Sequence, residues 1–382
     1  MLQMALYPEW NGFGMNLCRL AYSPVKTGGH MQKKLFKEMQ SALALVATVV
    51  GAGFASGREI MRFFTMYGKW SWVGCVVAGG MMAAFSAWTA MQANALQACD
   101  LGTLCRRSIG GRMGHFAAWL NAVLCIVTAG AMLASMGEIF ALALPVHGAY
   151  EIGIVVSLAL GAALAGSGIT SLSGIGGWLL PVCMLLYTLL LKLPVPQTLE
   201  VYTPSGAWRG VPMAVAYAAM NAAIGCGVMC EIGQDRKPKE IIRSCAIAFG
   251  LLTLLLVSAN ASLYRRQKEL LHEVLPVVQL ARALGSAGYW LCISALSLAV
   301  LTTLVALLRT VYRMLLQGAP HGVRWGVTLV LPLLLCFARF DMLVGQLYPL
   351  LGAASAFLFV VMLAKPIAQK KQVRKRKSTM DM

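Results

Sequence analysis

Charge is scarce in this sequence. Asp, Glu, Lys and Arg together make up 12% of it, about half the share of an average soluble domain. A soluble fold with so little charge could not cover its surface with polar groups, so a water-facing globule is excluded. Acid is scarcer still, with 14 Asp and Glu against 32 Lys and Arg. Catalytic signatures are also missing. No serine has glycine two positions away on both sides, no His-Glu-x-x-His or phosphate-binding glycine loop occurs, and His272-Glu273 lacks a second histidine. Nothing here supports an enzyme. The 11 cysteines are odd in number and lie mostly inside apolar runs. Cys226 and Cys230 share a helix face, but with neither a second pair nor a nearby histidine they read as small apolar residues rather than metal ligands.

What the sequence has in quantity is long apolar runs. Hydrophobic residues make up 59% of the 382 positions, and the mean hydropathy is +0.71. The runs are continuous rather than alternating, so lipid is their natural solvent and the expected class is an all-α polytopic membrane protein. Roughly ten spans of about 20 residues fit. Charge-free stretches place them at 39–66 with an interruption, 70–95, 115–140, 151–167, 174–193, 210–231 with an interruption, 242–264, 286–314, 323–338 and 342–364. The ninth is weak, because Arg324 and Arg339 bracket a short stretch containing Pro332. The uncharged, glycine- and serine-rich segment 166–177 reads as a short loop or re-entrant corner.

The formal net charge of +18 would suit nucleic acid if it were clustered on one surface. Instead the basic residues occupy inter-span loops and the tail from Lys370 to Lys377, as expected for cytoplasmic loops and anionic headgroups. A lipid bilayer is therefore the expected partner, and nucleic acid is not. Lys and Arg divide about two to one in favour of both termini being cytoplasmic, in a bacterial cytoplasmic (inner) membrane. The basic loop 265–282 goes against that count; its segment Val274–Leu284 has an amphipathic pattern that predicts a helix over the entrance. Residues 1–30 lack a signal-peptide core, and Met31-Gln32-Lys33-Lys34 reads as a natural start before the first span. The expected organisation is a leader over 1–30, two halves over 31–193 and 194–364, and a basic tail over 365–382.

The halves echo each other. Val50-Gly51-Ala52-Gly53-Phe54 in the first span and Ile224-Gly225-Cys226-Gly227-Val228 in the sixth share apolar-Gly-x-Gly-apolar, each followed by Glu-Ile, at Glu59 and Glu231. The offset of 174 residues from Gly51 to Gly225 also carries Gly111 onto Gly285, each just before a long span. An odd number of spans per half inverts the second copy, which is the architecture of secondary transporters. Two glycines within three residues make local unwinding cheap. Unwound backbone at membrane depth must line protein or a polar cavity. Close helix packing through Gly53-x-x-x-Gly57 is the competing reading. A dinucleotide fingerprint is ruled out because the third glycine falls one position late and no strand precedes it.

The run from Val50 to Phe64, Val-Gly-Ala-Gly-Phe-Ala-Ser-Gly-Arg-Glu-Ile-Met-Arg-Phe-Phe, closely resembles the N-terminal signature of the YkvI-like bacterial membrane proteins. That family looks like a distant branch of the amino acid–polyamine–cation transporter superfamily, with its leucine-transporter-type 5+5 fold. The resemblance runs from about Met31 to the end, with the leader outside it. It implies a substrate site between broken helices one and six, at Gly51, Ala52, Gly53, Phe54 and Ser56 with Asn221, Gly225 and Gly227. It also implies a Na+ site formed by Thr302 and Thr303 on the eighth span against the carbonyls of Ala47 and Val50. Adjacent hydroxyls can equally bond their own helix.

Glu59 and Glu231 are the candidates for coupling or gating. Glu59 lies eight residues past Gly51, about 12 Å along a continuous helix, which puts it near one vestibule and Glu231 near the other. Either could bind a cation or carry a proton, or form a salt bridge: Glu59 with Arg58 or Arg62, Glu231 with Arg236 or Lys237. Asn121, Tyr217 and Asn221 are mid-span polar groups that could line a cavity or bond a neighbouring helix. The expected function is secondary transport of a small solute, an amino acid or related zwitterion or amine, with Na+ or H+ as coupling ion and no other cofactor. The alternatives are a membrane sensor or scaffold that keeps the fold, and then a channel.

Overall fold

A computed structural model describes residues 30–98, 100–165, 169–194, 207–233, 236–316, 318–338 and 340–364. The leader up to residue 29, the start of the 166–177 segment, Arg339 and the basic tail lie outside the described residues.

Helices follow the expected spans closely. The first span is α1 (His30–Val49), α2 (Ala52–Ala55) and α3 (Arg58–Phe63). Then come α4 (Trp70–Leu96), α5 (Leu101–Ile109), α6 (Gly111–Ala143), α7 (Ala149–Ala165) and α8 (Ile169–Leu191). The second half holds α9 (Gly210–Ile224), α10 (Cys226–Gly233), α11 (Pro238–Tyr264), the short α12 (Gln267–Leu270) and α13 (Pro276–Arg282), then α14 (Gly285–Met314) and α15 (His321–Leu335). A π-helical turn, Leu343–Leu347, leads into α16 (Tyr348–Ala364). Among the described residues five helices are long and apolar enough to cross a membrane, or six when α9 and α10, bent by 57°, count as one span. The expected corner at 166–177 is largely helical, since α8 begins at Ile169 and includes Gly174, Gly176 and Gly177. Proline is accommodated inside two spans, Pro181 in α8 and Pro332 in the short α15.

Packing reproduces the inverted repeat. In the first half α1 lies on α8; in the second, α9 lies on α16. The pairing of α1 with α11 is matched by that of α9 and α10 with α4. Likewise, α6 on α15 is matched by α14 on α7, while α4 on α11 and α6 on α14 pair equivalent spans directly. Among the described residues the fold is thus all-α, an inverted repeat of two halves whose first helices are both broken. Large apolar side chains face outward along the outer helices, among them Val155 at 64%, Leu334 at 62% and Leu350 at 66% exposed. A bilayer would cover them.

Two elements lie outside the span pattern. The first is α5, short and charged, which hydropathy does not signal. Its buried face is Leu101, Leu104, Cys105 and Ile109, and Arg106 and Arg107 sit in its last turn, where the helix dipole favours cations. Asp100 caps it, with Oδ1 accepting from the Thr103 N–H at 2.8 Å and Oδ2 from the Thr103 hydroxyl at 2.7 Å. Replacing Asp100 by alanine is expected to destabilise the protein by about 0.5–2 kcal/mol. A lowered melting temperature of the purified protein would register this, and an unchanged one would refute it.

The second is the basic loop after α11. The helix expected over Val274–Leu284 is present as α13, with Pro276 in its first turn and Val277, Leu280 and Ala281 buried. A buried polar chain ties this region to the first span. Thr65 Oγ1 donates to Asn260 Oδ1 at 2.9 Å, Asn260 Nδ2 to Ser71 Oγ at 3.0 Å, and Gln267 Nε2 to the Thr65 carbonyl at 3.0 Å.

Candidate functional site

The first span breaks twice. At the first break the Gly51 N–H turns back to the Val49 carbonyl at 2.9 Å. The Ala52 N–H points at Met132 Sδ on α6, at 3.4 Å. The carbonyls of Ala47 and Thr48 therefore lose the donors that a continuous helix would give them four residues on. Thr303 of α14 faces this gap. Its Oγ1 lies 3.4 Å from the Ala47 carbonyl, 3.3 Å from that of Thr48 and 3.3 Å from that of Val50. One hydroxyl has one proton, so it can donate to only one of the three oxygens. Thr302 turns away and donates to the Ala299 carbonyl of its own helix at 2.9 Å. The pair of hydroxyls thus divides: Thr303 meets Ala47 and Val50 across the interface, and Thr302 bonds its own backbone. Gly51 eases the approach, since a Cβ there would lie a tight 3.2 Å from Thr303 Oγ1 and 3.3 Å from Met132 Sδ.

The second break lies at Ser56–Gly57. Gly57 has φ of +82°, a left-handed conformation that favours glycine. A Cβ there would come within 2.8 Å of Val277 on α13. Ser56 secures the corner, its Oγ donating to the Gly53 carbonyl at 3.3 Å and accepting the Arg58 N–H at 3.3 Å. Its own carbonyl accepts the Val277 N–H at 2.8 Å. Arg58 fixes the same end through the carbonyls of Leu271 at 3.2 Å and Glu273 at 3.0 Å. Phe54 is buried, and its carbonyl accepts the Tyr187 hydroxyl of α8 at 3.1 Å.

This second corner overturns the vestibular placement of Glu59, which assumed a continuous helix. The chain folds back, and the Glu59 carboxyl occupies the space beside Gly53, where a Cβ would collide with it. Glu59 is 5% exposed, and its Oε2 has no hydrogen-bond partner. Neither Arg58 nor Arg62 pairs with it; Arg62 points at Met66 Sδ, 4.0 Å away. The phenols of Tyr217 on α9, Tyr187 on α8 and Tyr348 on α16 lie within its electrostatic reach. The Tyr217 hydroxyl faces the carboxyl without well-formed hydrogen-bond geometry, and the Tyr348 hydroxyl is also without a partner. Tyr187 and Tyr348 escaped the sequence reading, although, like Tyr217, they are polar groups within charge-free spans.

The sixth span bends at Gly225, whose φ of −70° is ordinary helix. Asn221 bonds within its own helix, its Nδ2 donating to the Tyr217 carbonyl at 3.0 Å and its carbonyl accepting the Gly225 N–H at 2.9 Å. Gly227 serves close packing, since a Cβ there would collide with Thr310 of α14. Asn121 reaches sulfur atoms, Cys125 Sγ at 3.7 Å and Met314 Sδ at 3.6 Å. Glu231 is paired, but with residues distant in sequence: Arg309 donates to its Oε1 through Nε at 3.1 Å and Nη2 at 2.9 Å, and Arg313 meets the same oxygen.

No protein-family model matches the chain. It is 20% identical over 353 residues to the uncharacterised membrane protein YkvI of Bacillus subtilis (strain 168), covering 90% of this chain and all of that one. Among solved structures, MhsT in complex with L-phenylalanine is similar with a TM-score of 0.61 and 15% identity over 86% of this chain and 91% of its own. A Na+-coupled sialic acid symporter follows at 0.58 and 13%, over 85% and 78%. A manganese transporter of Eremococcus coleocola gives 0.55 and 16%, over 88% and 79%. The chain is therefore a membrane protein similar to YkvI along almost its whole length and built on the leucine-transporter-type fold.

Proposed function

We propose that this chain is a secondary active transporter of a small solute, an amino acid or related zwitterion or amine, coupled to Na+ or H+. The observation that carries this reading is the double break of the first span beside Thr303. Three backbone carbonyls and a hydroxyl converge there without a carboxylate, a donor set suited to a hard, singly charged cation. The solute would sit beside it, between Gly51–Ser56 of the first span and Asn221–Gly225 of the sixth. Similar structures that include a Na+-coupled symporter support the same reading.

Alternating access then has a closure at each end of the site. At one end α13 holds Ser56, and Arg58 holds the loop before α13. At the other, Glu231 binds α10 to Arg309 and Arg313 of α14. In this proposal the Glu231 end faces the cytoplasm of a bacterial cell, with both termini on that side. Transport would open one closure at a time as the bundle of first and sixth spans rocks against its scaffold.

Reconstitution into proteoliposomes with a panel of amino acids and amines, under imposed Na+ or pH gradients, tests the proposal. Gradient-driven uptake supports it, and its absence across the panel under both gradients refutes it. Thr303→Val keeps the side-chain shape and removes one oxygen. It is expected to weaken Na+ activation of uptake roughly tenfold or more, the value of a hydrogen-bonding group facing a charge. Na+ activation unchanged in Thr303→Val would make the arrangement a purely structural contact.

A further inference from the structure

Glu59 is a buried acid whose charge the fold leaves unanswered. Among the described residues no Lys, Arg or His pairs with it, and its Oε2 has no partner. The titratable groups near it on neighbouring helices include three phenols, Tyr217 from α9, Tyr187 from α8 and Tyr348 from α16. Cys75 of α4 is close enough to Tyr217 to influence it electrostatically. On its own helix, Arg58 is directed to the carbonyls of Leu271 and Glu273, and Arg62 to Met66. A carboxylate held in such a place without a counter-charge is strongly disfavoured, because burial strips away the water that would stabilise it. It must therefore hold a proton, or meet a cation that comes from outside the protein.

The surroundings discriminate among cations. A divalent metal ion such as Ca2+ or Mg2+ asks for six or more oxygens in its shell, more than one carboxyl and the neighbouring phenols supply. An organic ammonium is satisfied by one carboxylate, hydroxyl acceptors and aromatic faces. Tyr217 and Tyr348 offer hydroxyls without partners. Phe63 and Phe64 pack on the Tyr217 ring at centroid distances of 5.2 and 5.0 Å. Among the described residues no basic side chain pairs with Glu59, so a solute carboxylate set beside it would meet a like charge. An amine without a carboxylate fits better than a zwitterion.

We infer that Glu59 is a proton-for-ammonium exchange site, and that the solute is a small organic amine carried as its cation. This rests on the transporter reading above and deepens it. The empty site holds the carboxylic acid. Binding of R–NH3+ breaks the Glu59 O–H bond, releases that proton to water, and leaves the carboxylate accepting hydrogen bonds from the ammonium N–H groups. One positive charge enters for each one that leaves, so the charge beside Gly53 is balanced in both states.

The test uses the full chain in lipid nanodiscs. The probes are methyl-, ethyl-, propyl- and butylammonium chloride, with alanine as the zwitterion and sodium propionate as the carboxylate. At least one alkylammonium should raise the melting temperature, and a pH dye in weakly buffered solution should report about one proton released per amine bound. Proton competition gives the sign of the pH dependence: affinity falls about tenfold for each unit of pH lowered while the acid form prevails, the linkage of one proton. Glu59→Gln should abolish both the amine response and the proton release. Its melting temperature and response to Na+, read in parallel, report whether it is folded; if it is not, Glu59→Asp takes its place and should retain proton release with a shifted affinity.

The inference is overturned if no alkylammonium binds at any pH, if alanine binds and the amines do not, if binding releases no proton, or if folded Glu59→Gln binds amines like the parent. The two readings fail separately. Amine binding with proton release but no flux in proteoliposomes would end the transporter reading and leave the exchange site standing. Gradient-driven flux of a zwitterion that is indifferent to Glu59→Gln would do the reverse.

Discussion

Replacing Gly53 by leucine is expected to lower solute uptake by about 10- to 100-fold. The warrant is steric. A single Cβ at Gly53 would fall on the Glu59 carboxyl group and the stem that carries it. Glu59 is buried at 5% exposure, so it cannot simply swing into solvent. Overpacking of this kind costs about 1–3 kcal/mol, which is about 5- to 150-fold in the population of the affected state. Alanine is the milder version of the same change and permits a cycle. If the collision with Glu59 carries the effect, the loss of thermal stability in Gly53→Ala should shrink by about 0.5 kcal/mol or more when Glu59→Ala is added, as expected for residues in contact. Initial rates of uptake and melting temperatures measure the two arms. Uptake unaffected by leucine would show that the space beside Gly53 has no part in transport.

Glu231→Ala is expected to open the opposite end. One carboxylate there joins two guanidinium groups one helix turn apart on α14, Arg309 and Arg313. Side-chain exposures are 15% for Glu231, 18% for Arg309 and 36% for Arg313. Breaking a fully buried pair costs about 3–5 kcal/mol. Partial exposure reduces that here to about 1–3 kcal/mol, a factor of about 5–150 in favour of the open arrangement. Cys226 and Cys230 lie on the same short helix as Glu231 and are fully buried. Their alkylation by a water-soluble maleimide, followed peptide by peptide, should accelerate by about that factor. Unchanged labelling together with an unchanged melting temperature would remove Glu231 from any closure.

Much of this arrangement was legible in the residues themselves. Continuous apolar runs located the spans because burial in lipid requires length and hydropathy, both of which are local properties. The Gly-x-Gly pairs marked both breaks, and the offset between them gave the inverted repeat that the helix packing then reproduces. The family resemblance placed Ala47, Val50 and Thr303 together, and the fold does bring these three into contact. Thr302, adjacent to Thr303, points about 100° further around the helix and bonds its own backbone instead. The short α5 went unseen because its length and its two arginines give no span signal.

What the sequence by itself determined is therefore the order of the spans, where the first and sixth break, and that polar groups gather at those breaks. Tertiary structure alone decided which polar groups meet. Glu59 reaches Gly53 because Gly57 adopts a left-handed turn, held under α13, more than 200 residues later in the chain. Glu231 finds its partners 78 and 82 residues away, at Arg309 and Arg313, rather than among its basic neighbours. Spacing along one helix fixes direction only while that helix continues. Once it breaks, the partner of a buried charge is set by the packing of distant helices, where the cost of leaving that charge unmatched is highest.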